Sequence, residues 1–343
     1  MKRKIFFCKT AGRKTLLSIL LILSALFTAC GGKKDKQISV AVFAPGILSD
    51  SPIYQMLADG VKEAADEYNG KKGTSAVLVT ILEAGTNQAE WSSKITSLAA
   101  AGNFDVIISS NPSLPDIVRP LTRQFPNQKF ILLDAYEQGN PSVATVRYNQ
   151  REQSYITGYM AGLMSKTNKI GLLAAQEYPV MNDVILPGFK EGAESANKDI
   201  SVDFRIVGNW YDASKGAELA AAMYNSGCDV ILPICGGASQ GVISAANEKG
   251  FYITWFDSNG FNKAPGRVIS STSMKQQRMA KEMTSEFLEG KTQWGTAKTV
   301  GIEQGYIEFI QDDPLYISAV PEEIRNKMAK VIQSLNDGSL KLQ

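Results

Sequence analysis

The chain contains no histidine. That absence removes Ser-His-Asp and Cys-His nucleophilic machinery and every metal site that needs an imidazole. Cysteine is scarce, with four in 343 residues. Cys8 and Cys30 lie near the N-terminus, while Cys228 and Cys235 flank one apolar run, roughly 23 Å apart if fully extended and so unable to pair with each other. Both read as small buried apolar side chains. No apolar run is long enough for a permanent membrane helix, since the longest, residues 16–27, has twelve residues where about 20 are needed. An excess of positive charge is also missing. The formal charge of +2 rests on six Lys and Arg that precede position 30, and without them 30 basic side chains face 34 acidic ones. A balance of −4 gives no electrostatic case for nucleic acid.

What is present at the N-terminus reads as an export signal: a basic start, the short apolar core LLSILLILSALF, and then Phe27-Thr28-Ala29-Cys30. Small residues before a cysteine match a bacterial lipobox, in which Cys30 is lipidated and becomes the new N-terminus, with Phe27 in place of the usual aliphatic residue. The polar run GGKKDKQ after it has the composition of a tether. The alternative is ordinary signal cleavage nearby, leaving a soluble protein with an odd cysteine. The expected division is therefore a signal peptide over 1–29, a lipid-anchored tether over 30–37, and a folded body beyond.

The body is organised around residues 228–260, CDVILPICGGASQGVISAANEKGFYITWFDSNG. An apolar run stops at Gly236-Gly237, helical spacing follows, and a second apolar run meets Asp257. In a parallel αβ crossover both the turn and the acid lie at the carboxyl ends of strands, where open α/β sheets place ligands. The Gly-Gly turn lacks the spacing of GxGxxG or GxxxxGK[ST], so backbone donors for a neutral polar ligand fit it better than a phosphate cradle, and a turn without a ligand remains open. Asp257 either accepts from ligand hydroxyls or caps its own turn.

Along the chain the rhythm is β-α-β twice over. Strands are expected at 38–43, 76–83, 105–108, 129–133 and 144–148, and again at 169–174, 202–207, 229–234 and 251–256, with a helix at 152–165 between the two sets. Phe104-Asp105-Val106-Ile107-Ile108 and Cys228-Asp229-Val230-Ile231-Leu232 echo each other at matching places. A strand at 268–271 leads to a helix beginning at Thr272, the last strands lie between 299 and 310, and a terminal helix spans 321–335. The fold class is α/β, with two doubly wound parallel lobes, 38–148 with 272–298 and 149–271 with 299–343, joined by three hinge crossings. Two such lobes without a catalytic histidine describe a binding protein that closes over a ligand in its cleft.

The chain resembles the basic membrane protein family of bacterial lipoproteins, on Asp50 with Gly60 ten residues on, the run YNQREQSYITG, Pro187-Gly188-Phe189, the run WYDASKG, the turn GGASQG, Phe256-Asp257-Ser258-Asn259 and Thr272-Ser273-Met274-Lys275. The resemblance implies a type I periplasmic-binding fold without enzymatic activity, acting with the permease and ATPase of an ABC importer on the periplasmic side of a membrane, as a monomer. Family members that bind purine nucleosides use an acid, a lysine, a glycine turn and a second acid that fall here at Asp257, Lys275, Gly236-Gly237 and Asp134. Their base-holding acid falls instead at Ala44, their Ser-Phe-Asn becomes Pro52-Ile53-Tyr54, and an expected aromatic becomes Leu232. The end that grips hydroxyls is kept and the end that grips a purine is rewritten. The resemblance extends to the riboflavin-binding lipoproteins of the family, and riboflavin, a flat ring on a polyol, is the expected transported ligand, with no separate cofactor; a purine nucleoside is the alternative.

An isoalloxazine ring needs aromatic platforms. Tyr54 and Trp210 are the leading candidates, with Tyr148, Tyr178 and Trp91 behind them, and Asn111, Asn182 and Gln240 supply loop amides. A hydrolase or flavin-dependent oxidoreductase using the same cleft has no nucleophile beside a base to support it. An adhesin or surface antigen on the same fold is the third class.

Overall fold

The computed structural model describes residues 37–342, so the signal, Cys30 and nearly all of the tether lie outside the described residues. Strands β1 (Ile38–Ala44), β2 (Val77–Glu83), β3 (Val106–Ser110), β4 (Lys129–Leu133) and β5 (Val143–Tyr148) alternate with helices α1 (Pro52–Lys72), α2 (Trp91–Ala101) and α3 (Leu114–Gln124). Helix α4 (Gln150–Met164) opens the second series: β6 (Lys169–Ala174), α5 (Leu186–Ala196), β7 (Ser201–Ile206), α6 (Ala213–Asn225), β8 (Val230–Ile234), α7 (Ser239–Lys249), β9 (Tyr252–Trp255) and β10 (Val268–Met274). Helix α8 (Gln276–Leu288), β11 (Ala297–Val300), β12 (Ile307–Phe309), α9 (Pro314–Ala319) and α10 (Glu322–Asn336) complete the described chain.

Two six-stranded sheets result, in the orders β11-β5-β4-β3-β1-β2 and β12-β10-β9-β8-β6-β7. Every pairing is parallel except β10 with β12. Read from β2 and from β7 the two orders are the same, so β1, β3 and β4 of one lobe correspond to β6, β8 and β9 of the other. Fully buried runs such as Val230–Ile234 form the central strands, as parallel strands covered on both faces require. The echoed aspartates have one job in both lobes. Asp105 accepts from the Ser39 N–H at 2.8 Å and Asp229 from the Lys166 N–H at 2.6 Å, each tying the start of a third strand to that of the first.

Helices pack through glycines. A Cβ at Gly60 would lie 2.2 Å from the Gln277 carbonyl, and one at Gly158 would lie 2.0 Å from that of Phe189. α8 is thereby seated on α1 in the first lobe and α4 on α5 in the second.

The chain passes between the sheets at 149, 275 and 301–306. Asn149 N–H donates to Val300 O at 2.7 Å, Lys275 N–H to Tyr306 O at 2.9 Å, and Ile302 N–H to the Glu152 carboxylate at 2.9 Å, so the crossings are bonded to one another. Two expected bounds move. β10 continues to Met274 because Thr272, Ser273 and Met274 pair with β12, so no helix begins at Thr272. β11 runs to Val300 beside Tyr148, so Thr299 and Val300 belong to the first sheet.

Candidate ligand site

The loops that follow β1, β3 and β4 of the first sheet meet those that follow β6, β8 and β9 of the second around one cavity of about 230 Å³. In each sheet the crossover direction reverses between the first and third strands, and such switch points leave a crevice for a ligand. Pro45 and Asn111 stand at one switch point, Gln176 and Gly236 at the other.

The floor carries Asp134 and Asp257. Each follows the fourth strand of its lobe in left-handed backbone, φ +50° and φ +69°, a conformation Asp tolerates better than most residues. Gln150 donates its Nε2–H to Asp134 Oδ1 at 3.0 Å, and Gln153 donates to Asp257 Oδ1 at 3.1 Å. Among the described residues no cation is paired with either carboxylate. Burial pushes the Asp257 carboxyl up to about 7, with the Gln153 bond pulling the other way. Burial, and then the charge of Asp257, hold Asp134 well above the usual carboxylate range.

The walls are aromatic. Tyr54 sits in the first turn of α1, capped by Ser51, and its phenol accepts from Asn111 Nδ2 at 3.3 Å. Burial pushes that phenol up, as it does Tyr178, so both stay neutral hydrogen-bonding groups. Tyr178 and Trp210 of the second lobe meet with ring centroids 6.2 Å apart at 40°. Gly46 is where the lobes converge: a Cβ there would lie 2.8 Å from the Tyr54 ring and 3.0 Å from the Tyr211 hydroxyl. Trp255 also lines the cavity, with the Lys263 amine 5.2 Å from its ring centre.

The Gly-Gly turn seats Trp210. Gly236 has φ +56°, and a Cβ on it would come within 3.0 Å of the Trp210 carbonyl and 3.2 Å of its ring. The Ala238 N–H donates to that carbonyl at 3.1 Å. Gly237 lines the cavity beside Tyr211. Cys235, at the same turn, contacts the Ser239 hydroxyl at 3.3 Å, and burial pushes its thiol up to about 11, which leaves it without nucleophilic thiolate at neutral pH. Cys228 and Cys235 are both buried and free.

Tyr54, Asn111, Asp134, Trp210, Gly236, Gly237 and Asp257 are brought together here, with Tyr178, Trp91 and Gln240 around them. Three expected residues lie elsewhere. Tyr148 is buried in the hinge, where its hydroxyl donates to Gln276 Oε1 at 2.8 Å while Gln276 Nε2 donates to Ser110 at 2.6 Å. Lys275 caps the start of α8 with its backbone, and its ammonium pairs with Glu308 on the β12 edge strand, away from the cavity. Asn182 donates to Glu177 and is not at the cavity wall.

Gln150, Gln153, Gln176 and Tyr211 were not legible as site residues. The motif YNQREQSYITG contained the first two, but helical spacing placed the helix start at 152, which left the side of the first turn that faces the acids unread. Among the described residues no cluster of His, Cys, Asp or Glu suits a metal ion. The site offers carboxylates, amides, phenols and ring faces, a set that can hold a ligand by hydrogen bonds and stacking.

The fold is shared with solved solute-binding proteins: an ABC transporter system solute-binding protein from Aeropyrum pernix K1 superposes with a TM-score of 0.74 at 18% identity, over 89% of this chain and 93% of that one. Basic membrane protein A of Borreliella burgdorferi is 27% identical over 92% of this chain and 93% of its own. The ABC transporter nucleoside-binding protein BmpA of Lactococcus lactis is 26% identical over 90% and 89%. The profile of the PnrA-like ABC transporter substrate-binding proteins matches residues 37–338, and the chain belongs to that family, one of solute-binding proteins and not of enzymes.

Proposed function

We propose that this protein captures riboflavin for an ABC importer, held to a membrane by lipid on Cys30, facing the periplasm. The observation that carries the ligand is the division of the cavity: aromatic rings from both lobes line the walls while two carboxylates without a paired cation, and Gln150 beside Asp134, form the floor. A flat tricyclic ring takes the walls, stacking between Tyr54 on one side and the Tyr178–Trp210 pair on the other. A ribityl chain, all hydroxyl donors and acceptors, takes the floor, where Asp134 and Asp257 accept. Three acids, Asp50, Asp134 and Asp257, against the single ammonium of Lys263 favour an uncharged ligand over a phosphorylated one.

Ala44, fully buried at the end of β1, offers no polar group where a purine-binding relative is expected to place an acid. The Lactococcus relative is named for nucleoside binding, and a purine nucleoside would place its ribose over the same two acids. The permease and ATPase subunits of the importer are the protein partners of this reading, and the protein works as a monomer.

The absorption spectrum of freshly purified protein tests the ligand. Flavin bands that leave with denaturation, and a ligand recovered chemically unchanged after incubation, are expected. Recovery of a converted flavin would make the protein an enzyme and overturn the reading.

A further inference from the structure

Asp134 and Asp257 belong to different lobes, so a ligand that bridges them needs the two carboxylates held in a fixed relation. The first turn of α4 makes that connection. Gln150 is the first residue of the helix, immediately after the chain has left β5 and the first sheet, and its amide reaches back to Asp134 at 3.0 Å. Gln153, one turn further, donates to Asp257 at 3.1 Å and to Thr272 Oγ1 at 3.0 Å, both in the second lobe. The body of α4 is fixed in that second lobe by its glycine contact with α5. The Gln153 bond therefore stays within one lobe, and the Gln150 bond crosses between lobes.

Both amides are deeply buried, Gln150 8% and Gln153 0% exposed, and the Oε1 of each has no hydrogen-bond partner. An orphaned buried carbonyl costs free energy, on the order of 1–3 kcal/mol each. What each amide gains in that place is its bond to a ligand-facing carboxylate.

We propose that Gln150 is an interlobe positioning residue, tying the first lobe's carboxylate, Asp134, to the helix whose Gln153 holds the second lobe's, Asp257, and thereby setting the closed relation of the two acids. This rests on the reading of the cleft as the ligand site, and it holds for a polyol or a ribose alike.

The groups facing Asp134 are Asp257 at the end of β9 and the phenols of Tyr54, Tyr148 and Tyr178. Arg151 is occupied by Glu191, Glu152 accepts from Ile302, and Lys263 lies over Trp255. Among the described residues no free cation is at hand to neutralise an extra charge beside Asp134. Gln150→Glu exchanges a donor for an acceptor there: two carboxylates repel when both are ionised, and one proton shared between them restores a hydrogen bond.

The test compares wild type, Gln150→Glu and Gln150→Leu from pH 5 to pH 8.5, by riboflavin titration and by small-angle scattering of the unliganded proteins. Relative to wild type at each pH, Gln150→Glu is expected to bind at least about tenfold more weakly at pH 8 and to recover most of that loss by pH 5, while Gln150→Leu is weakened about equally throughout. Scattering should show Gln150→Glu more expanded at pH 8 and wild-type-like at pH 5. Equal pH profiles for the two variants, or wild-type binding by either, would overturn the positioning role. Failure of wild type to bind riboflavin would count against the ligand alone, because scattering still reads whether Gln150→Glu opens with pH.

Discussion

Asp134 and Asp257 are the same residue of two different lobes: each follows a fourth strand, each has left-handed backbone, and each accepts from a glutamine on the first turn of one helix. Placed so, they share a low-dielectric floor without a cation, and the ionised form of each is disfavoured by burial and, for Asp134, by its counterpart. Beyond the one amide that each accepts from, both keep acceptor capacity that a ligand hydroxyl would fill on the proposed reading.

The first prediction concerns pH. Asp257 titrates near 7 in the folded protein against roughly 4 unfolded, so the native state holds the extra proton between those values and stability falls as pH rises through them. Without ligand, the wild-type melting temperature should decline from pH 5 to pH 8. Asp257→Asn keeps the left-handed backbone and the acceptor for Gln153 and loses the charge; it should make the decline shallower, with the remainder due to buried Asp134, and melt at least about 2 °C above wild type at pH 8. A parallel decline in both proteins would place the titrating group elsewhere.

Gly236→Ala tests the seat of Trp210. The new methyl meets the Trp210 carbonyl and ring, and the residue must also hold φ +56°, for about 1–2 kcal/mol of backbone strain alone. Melting should fall by a few degrees, and ligand affinity by about tenfold or more as the ring is displaced. A variant with wild-type affinity would mean that Trp210 is not a platform for the ligand.

Lys275 offers the opposite contrast. Paired with Glu308 at the surface, it should be dispensable for binding, and Lys275→Ala is expected to change the dissociation constant less than about threefold, while Asp134→Ala weakens it by about tenfold to a hundredfold. Isothermal titration of both variants decides the point. A large loss in Lys275→Ala would show that the ammonium swings into the cleft when ligand is present.

The sequence made the α/β rhythm plain because parallel strands buried on both faces carry short unbroken apolar runs with glycine or polar stops, such as Val230–Ile234 and the first three residues of Val106–Ser110. Strand ends pointed to the Gly236-Gly237 turn and Asp257 without any side-chain geometry, since ligand sites of open sheets gather there, whereas Asp134 came from the family resemblance and Asn111 was one of three loop amides that nothing distinguished. Side-chain direction was not legible in the same way. Lys275 and Gln276 are neighbours, yet one points to the β12 edge and the other into the hinge, a choice fixed by where α8 starts after β10 pairs with β12. Tyr148 also ends a strand, but its ring turns into the hinge core because Gln276 accepts its hydroxyl there. Gln150 was hidden by a helix start placed two residues late, Gln153 lay inside the expected helix with its direction unread, and the one-turn spacing that joins them to two lobes appears only when the first crossing is in place.

Direct titration of the purified protein with riboflavin, followed by quenching of flavin fluorescence and repeated with lumiflavin, guanosine and inosine, tests the central claim. Riboflavin should saturate one site per chain with strong quenching by the aromatic walls, lumiflavin should bind more weakly for want of the chain that reaches Asp134 and Asp257, and the nucleosides should not compete. Saturable binding of guanosine or inosine with no response to riboflavin would contradict the account.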